Sequence, residues 1–397
     1  MYGMKKILIV NKSFQLGGIQ SALRNMLNVL AEEDVKVDLM IFNDRNKEKE
    51  NLPKNVRLIS PCIPVKTMGM SLKDAIHTKN PIIIVLKTVF AIWSKIFGNT
   101  IPIAVALMFQ KKLCGYDYAL AYHHETKTNT TVSGFVRFIL KKCDAKEKIG
   151  WIHTDFKAAG LNTEKNRKLY AKLDRIICVS KAVMKSFTDC YPELSLKCDY
   201  CYNCISTEEI KEKSNKKPDF HLQKENGRVC FFSACRLSAE KGIERTIGAM
   251  MPLIKEGYSF KWYIAGDGIL FNKISKKIKQ NKLEDIIILM DYQENPYPYM
   301  TKCDWFLLPS FHEAFPMVAI EALTLGTPVF ATEMPAMREL IDENNGYICD
   351  NTTEGIEKGL RHILMDNAVL PKNVGLKKEM KNSSLKLKQI FKTRINV

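Results

Sequence analysis

The segment Pro309–Ala322 gathers the residue types best suited to a polar, anionic ligand. Glu313 and Glu321 stand eight positions apart, with Pro316 between them. Proline suits the first helical position, where its missing N–H would be unpaired anyway, so a helix is expected to begin there. The next amides, those of Met317 and Val318, are then free to donate to an anion, helped by the helix dipole. Glu313 falls in the loop before that helix and Glu321 in its second turn. One carboxylate can meet a sugar and the other clamp the two hydroxyls of a ribose, with phosphate at the helix start. The plainer alternative is two surface glutamates on an amphipathic helix. The apolar neighbours Phe315, Val318, Ala319, Ile320 and Leu323 argue against a purely solvated helix.

Four further segments add to this set. Arg236 and Lys241, in Arg236–Gly242, follow an apolar run at what reads as a strand-to-helix turn. An arginine fork and a lysine point charge at such a turn can grip a diphosphate. Ala265–Gly268 reads as a strand followed by a glycine turn; turn chemistry alone explains it, and Gly266 is given only a cradle-forming role. Gly17 and Gly18 close the loop after the first strand, where glycines allow close backbone approach and the helix from about Ile19 would aim its N–H groups at phosphate. That loop lacks the G-x-G-x-x-G dinucleotide fingerprint. His153, in Trp151–Asp155, can bond a sugar hydroxyl or shuttle a proton, although a lone histidine is more often structural.

These segments need strand ends to hold them, and the chain alternates strand and helix patterns throughout, as parallel sheets with packed helices require. In the first half the strand candidates are Lys6–Val10, Lys36–Phe42, Val56–Ile59, Tyr118–Tyr122, Lys148–His153 and Arg175–Val179. The pattern restarts with Arg228–Ser233, Lys261–Ala265, Ile286–Met290, Trp305–Pro309 and Thr327–Ala331. The polar stretch Ser206–Asn226 lies between the halves, and the boundary is expected near Asn203–Thr207. The expected architecture is α/β: two Rossmann-like domains facing a central cleft, where large ligands commonly bind. Residues 1–203 form the first domain, 204–375 the second, and 376–397 a basic C-terminal helix that packs back on the first. Its apolar residues are Leu385, Leu387, Ile390 and Phe391.

A length of 397 residues suits two such domains. The net charge of +17 calls for an acidic partner. Nucleic acid is disfavoured, because no RNA-binding, helix-turn-helix or zinc-finger signature occurs. An anionic membrane surface or a phosphorylated substrate remains, against the blander reading of a solvated basic surface. Nine Lys/Arg against two acids crowd Arg361–Val397, and Lys141, Lys142, Lys146 and Lys148 form a second basic run. Pro81–Phe109 is almost wholly apolar but is broken by Lys87, Lys95, Asn99 and Pro102, so it makes a poor membrane span. A buried helix pair and a helix lying on the membrane surface both fit it. Met1–Val10 reads as a first strand and lacks the layout of a secretory leader. Of twelve cysteines, Cys198, Cys201 and Cys204 form a C-x-x-C-x-x-C run. It has no fourth thiol at short spacing and no close histidine, so free thiols in a reducing cytoplasm are expected and no metal site.

In this order the segments resemble retaining GT-B glycosyltransferases of family 4, the group of many bacterial capsule, exopolysaccharide and lipopolysaccharide enzymes. Gly17-Gly18 is similar to the family's N-terminal glycine loop, and His153 to its active-site histidine. Cys178-Val179-Ser180 looks like its strand end before the domain connection. Arg236 and Lys241 match R-x-x-x-x-K-G; Glu313 and Glu321 match the E-x7-E signature, followed by Gly326-Thr327-Pro328-Val329. Two departures stand out. Asn203-Cys204-Ile205-Ser206 replaces the frequent N-G-I-D, and Ala314 replaces the glycine of E-G-F-P.

The resemblance implies a hexosyl transfer with retention, from a nucleotide-sugar, with UDP the leading nucleotide, to a lipid-linked or glycan acceptor. Arg236 and Lys241 would stabilise the departing diphosphate, with Glu313 on the donor sugar, Glu321 on the ribose and His153 on a sugar hydroxyl. Gly17, Gly18, Gly266, Phe315, Met317 and Val318 would line the donor. No D-x-D occurs in the chain, so neither a metal nor another cofactor is expected. The expected location is the cytoplasm, at the inner face of the plasma membrane. A nucleotide-sugar epimerase on a similar scaffold and an inactive partner subunit are the competing readings; fold alone does not choose among them.

Overall fold

In the computed structural model the described residues are 4–14, 17–43, 52–220, 222, 225, 227–365 and 374–392. The chain divides into two compact units: residues 1–204 with 382–397, and residues 205–381. Residues 1–3 ahead of the first strand, Gln15 and Leu16 of the first glycine loop, His221, Gln223, Lys224 and Asn226 of the connecting stretch, and the last five residues of the expected C-terminal helix lie outside the described residues.

The first unit holds a seven-stranded parallel sheet. Its strands are β1 (Lys5–Ser13), β2 (Val35–Asn43), β3 (Val56–Ile59), β4 (Leu113–Ala121), β5 (Cys143–Ile152), β6 (Arg175–Cys178) and β7 (Cys198–Tyr200). Their order is β3-β2-β1-β4-β5-β6-β7. Ile7–Val10 in β1 is wholly buried, as expected of a strand covered by helices on both faces. The order turns back at β1/β4, which is where a doubly wound sheet opens a crevice at its strand C-termini.

The second unit repeats the plan with β8 (Val229–Ala234), β9 (Phe260–Ala265), β10 (Ile287–Leu289), β11 (Trp305–Leu308), β12 (Val329–Thr332) and β13 (Gly346–Cys349). The order β10-β9-β8-β11-β12-β13 places the switch point between β8 and β11. Its core runs through Phe231, Trp262, Ile264, Trp305 and Phe330, all nearly fully buried. Both units are therefore α/β and Rossmann-like. Strands β7 and β13 add to those read from sequence.

The C-terminal segment is two pieces rather than one helix from residue 376. Lys378–Lys381 is a short helix of the second unit, and Ser383–Lys392 is a helix grouped with the first. Leu387, Ile390 and Phe391 are buried there, with Phe391 edge-on to Tyr118. Lys5 Nζ and Arg175 donate to the carbonyls of Phe391 and Ile390 at 2.7 Å each. Leu385 points outward instead: the bonded carbonyls and Lys388, paired with Glu32 and Glu33, fix which stripe faces inward.

Pro81–Phe97 and Thr100–Met108 are helices of the first unit, but they are not a buried pair. Only the stripe Ile83, Lys87, Phe90 and Ser94 of the longer helix is covered, at the i, i+4, i+7, i+11 spacing of one helical face. The buried Lys87 ammonium donates to the carbonyls of Thr67, at 2.9 Å, and Thr131. That satisfies the charge and locks the rotation of the helix. No described helix is long and apolar enough to cross a membrane.

Candidate active site

In the second unit, most of the residues singled out in the sequence converge on the β8/β11 switch point. Arg236 and Lys241 leave the end of β8, and Glu313 leaves the end of β11. Lys241 Nζ lies 2.6 Å from Glu313 Oε1, and Ser310 Oγ donates to the same oxygen at 2.8 Å. Both members of the ion pair are largely shielded, so the contact is charge-assisted in a setting of reduced screening. Arg236 is exposed.

Three glycines bring these loops together. A Cβ on Gly242, which has φ 68°, would meet the Pro309 carbonyl oxygen at 2.0 Å. Only glycine lets the lysine turn press against the glutamate loop. A Cβ on Gly266 would meet the Cys235 carbonyl at 1.9 Å, and one on Gly268 the Leu237 carbonyl at 2.4 Å. Gly266 thus does more than make a turn: it seats the β9 loop directly against the strand end that carries Arg236.

The helix after this loop runs Met317–Thr324, with Pro316 at its N-cap, one position earlier than proline's favoured first helical place. Pro316 offers no side-chain cap, so the first amides, on Met317 and Val318, keep free donors at the positive end of the helix. Phe315 and Met317 are buried beside it. Glu321 follows one turn on. It keeps part of its surface open, yet burial pushes its carboxyl up to about 7, against the lowering effects of a hydrogen bond from Tyr297 and the charge of Lys213.

Arg245 went unnoticed in the sequence. Its guanidinium donates to the carbonyl of Pro309 at 2.8 Å and to Asn351 Oδ1 at 2.6 Å, and it stacks 3.6 Å from the Phe311 ring centroid. It stiffens the loop that carries Glu313. Its position one turn into the helix after Gly242 was the only hint.

In the first unit, Gly17 is the N-cap of the Gly18–Ala31 helix after β1, and His153 directly follows β5. His153 is buried, and burial lowers it to about 3. One ring nitrogen bonds the Tyr122 backbone, and Nε2 is buried without a hydrogen-bond partner. That bond favours the protonated ring, so Nδ1–H donates to the Tyr122 carbonyl and Nε2 is left as an acceptor. A group titrating near 3 is a poor proton shuttle at neutral pH; a hydroxyl would satisfy it. Around it lie neighbours the sequence reading passed over. His123 and His124 stack at 4.8 Å after β4, with His123 lowered to about 4 by burial. The buried Glu125 carboxylate accepts from Ser133 Oγ at 2.6 Å and from the amides of Gly134, Val136 and Arg137. The His-His-Glu run directly after a strand was the available signal.

All twelve cysteines are free. Among the described residues no group of three or more His, Cys, Asp or Glu side chains is placed to hold a metal ion.

Residues 214–383 match the family model for glycosyl transferases, group 1. The chain is 26% identical over 368 residues to a curated Campylobacter jejuni protein, covering 92% of this chain and 91% of that one. The relative is N-acetylgalactosamine-N,N'-diacetylbacillosaminyl-diphospho-undecaprenol 4-alpha-N-acetylgalactosaminyltransferase. Among solved structures, a Rickettsia africae glycosyltransferase aligns with a TM-score of 0.64 at 14% identity, covering 97% of this chain and 94% of that one. HepE of Anabaena, in complex with UDP and glucose, aligns with a TM-score of 0.60 at 15% identity, covering 97% and 95%. Fold, family match and relatives together support a glycosyltransferase of GT-B architecture.

Proposed function

We propose that this chain is a retaining, metal-independent glycosyltransferase of family 4 that moves a hexosyl group from a UDP-sugar to a lipid-linked acceptor in cell-surface glycan synthesis. The observation that carries this reading is the Lys241–Glu313 ion pair at the β8/β11 switch point, one loop away from an uncapped helix start and Glu321. Cation, carboxylate, free amides and a second carboxylate occur there in the order diphosphate, sugar and ribose demand. Arg236 and Lys241 take the diphosphate, assisted by the Met317 and Val318 amides. Glu313 holds the sugar and Glu321 the ribose. Gly17, Gly18, Gly266 and Phe315 line the donor.

In the transfer, the bond from the anomeric carbon to the diphosphate oxygen breaks, and the acceptor oxygen bonds that carbon on the same face. The acceptor's proton passes to the leaving diphosphate, whose charge the two cations hold. His153 accepts a hydrogen bond from a sugar hydroxyl and takes no proton. UDP as the nucleotide draws on the HepE complex, and the lipid-linked acceptor on the Campylobacter relative. An acceptor of that kind places the protein at the inner face of the plasma membrane.

The test is turnover of UDP-sugars with a polyprenyl-diphosphate-linked acceptor in EDTA, with the product anomer read by NMR. Retention in the wild type, with Arg236→Ala and Glu321→Ala inactive, is expected. An inverted product, or turnover only on adding a divalent cation, contradicts the mechanism.

A further inference from the structure

Among the described residues, exposed large apolar side chains concentrate away from the residues above. Twelve of the twenty-three exposed large hydrophobic side chains among the described residues fall between Ile82 and Phe109, on two consecutive helices and the C-cap of the second. On the longer helix, Val85, Val89, Ile92, Trp93 and Ile96 recur at three- and four-residue spacing, opposite the stripe that Lys87 pins inward. Val89 is 58% exposed, Ile96 66% and Phe97 70%; on the next helix Met108 is 77% exposed. Ordinary soluble monomers leave a largest contiguous apolar patch of about 300–600 Å², and a concentration of this kind marks an interface.

The charge around it says what covers it. From Ala75 to Tyr116 the sequence has no Asp or Glu, while Lys79, Lys95, Lys111 and Lys112 are exposed there. An apolar face whose own stretch of sequence carries lysines and no acid is complementary to a surface that is oily inside and anionic at its boundary. Trp93, 40% exposed, has the amphipathic ring that favours such a boundary.

We propose that the Pro81–Phe97 and Thr100–Met108 helices form a docking face that lies in the interfacial layer of an anionic lipid bilayer. The face enters the bilayer side-on without spanning it, and the lysines meet the headgroups. This gives the location assigned above a physical cause, but it rests on a surface separate from the nucleotide-binding residues, and its test reads lipid binding rather than turnover.

Trp93 supplies the probe, because Trp151, Trp262 and Trp305 are at most 2% exposed. The full chain is mixed with phosphatidylglycerol/phosphatidylcholine vesicles carrying a brominated phosphatidylcholine. Flotation and tryptophan quenching are measured at low and high salt, for the wild type, Trp93→Phe and the double variant Val89→Glu/Ile96→Glu. Both glutamates replace exposed side chains, and an unchanged melting temperature shows that the fold persists. Co-flotation and quenching of the wild type are expected. Quenching should vanish in Trp93→Phe, and binding should weaken by about tenfold or more in the double variant, since a charge on a lipid-facing surface is costly. No flotation at low salt overturns the proposal. So does binding that the double variant leaves unchanged, which would assign it to the basic surface alone. A dimer in solution that the double variant dissociates, without vesicle binding, would instead assign the face to a second copy of this chain.

Discussion

The two sheets share a plan and differ in what they put at the switch point. At β8/β11 the groups are ionic: Arg236, the Lys241–Glu313 pair, free helix amides and Glu321. At β1/β4/β5 the imidazoles are neutral, with His153 and His123 held far below their usual titration range, and the Glu125 carboxylate is already taken up by four donors. Rossmann topology supplies a crevice in both cases, and side-chain chemistry divides the labour. The ionic end suits a nucleoside diphosphate; the neutral end suits hydroxyls. Each prediction below tests one side of that division.

The largest effect is expected where backbone meets backbone. Gly242→Val or Gly266→Ala forces a Cβ to within about 2 Å of a carbonyl oxygen and should cost about 3 kcal/mol or more, seen as loss of the folded second unit on thermal melting. Gly257→Ala, at φ 85° with nothing within 4 Å of its Cβ, should cost only about 1 kcal/mol.

Next come the two cations, which should separate. Arg236→Ala removes an exposed side chain, so stability should stay within about 0.5 kcal/mol while nucleotide affinity falls. Lys241→Ala leaves a shielded Glu313 carboxylate without its counter-ion and should cost about 1–3 kcal/mol of stability as well. Denaturant unfolding of both variants, with and without UDP, checks this.

Glu321 gives a pH signature of intermediate size. Its carboxyl titrates near 7 in the folded chain, against a usual 4.5. Below pH 4.5 it is protonated in both states. Between about 4.5 and 7 only the unfolded chain releases the proton, so stability falls as pH rises through that window and then levels off. Glu321→Gln cannot ionise and escapes the fall. It should be more stable than the wild type by roughly 1–3 kcal/mol near pH 8 and about equal near pH 4, measured by denaturant unfolding at both pH values. The smallest effect belongs to the neutral end: the His153 ring should show no titration by NMR between about pH 5 and 8.

The sequence showed both sheets because their central strands carry unbroken apolar runs, such as Ile7–Val10 and Trp305–Leu308. It hid β7 and β13, edge strands whose apolar signal is broken by Asp199 in one and opened by Gly346 in the other. Arg236, Lys241, Glu313 and Glu321 were legible because their spacing along the chain carries the pattern. Arg245, His123, His124 and Glu125 were not, since their roles depend on neighbours far off in sequence: Arg245 reaches Asn351, and the Glu125 backbone N–H donates to the Tyr170 hydroxyl only across the fold. The outward face at Pro81–Phe109 was equally hidden. Its residues are apolar all round, and only the Lys87 contacts decide which stripe is covered.

The central claim is that the ionic switch point of the second unit binds the nucleotide. The most direct measurement is calorimetry with UDP, GDP and ADP in EDTA, on the wild type, Glu321→Ala and His153→Ala. The account predicts metal-free binding of one nucleotide, UDP, lost in Glu321→Ala and unchanged in His153→Ala. Binding that survives Glu321→Ala, or no binding of any of the three, contradicts it.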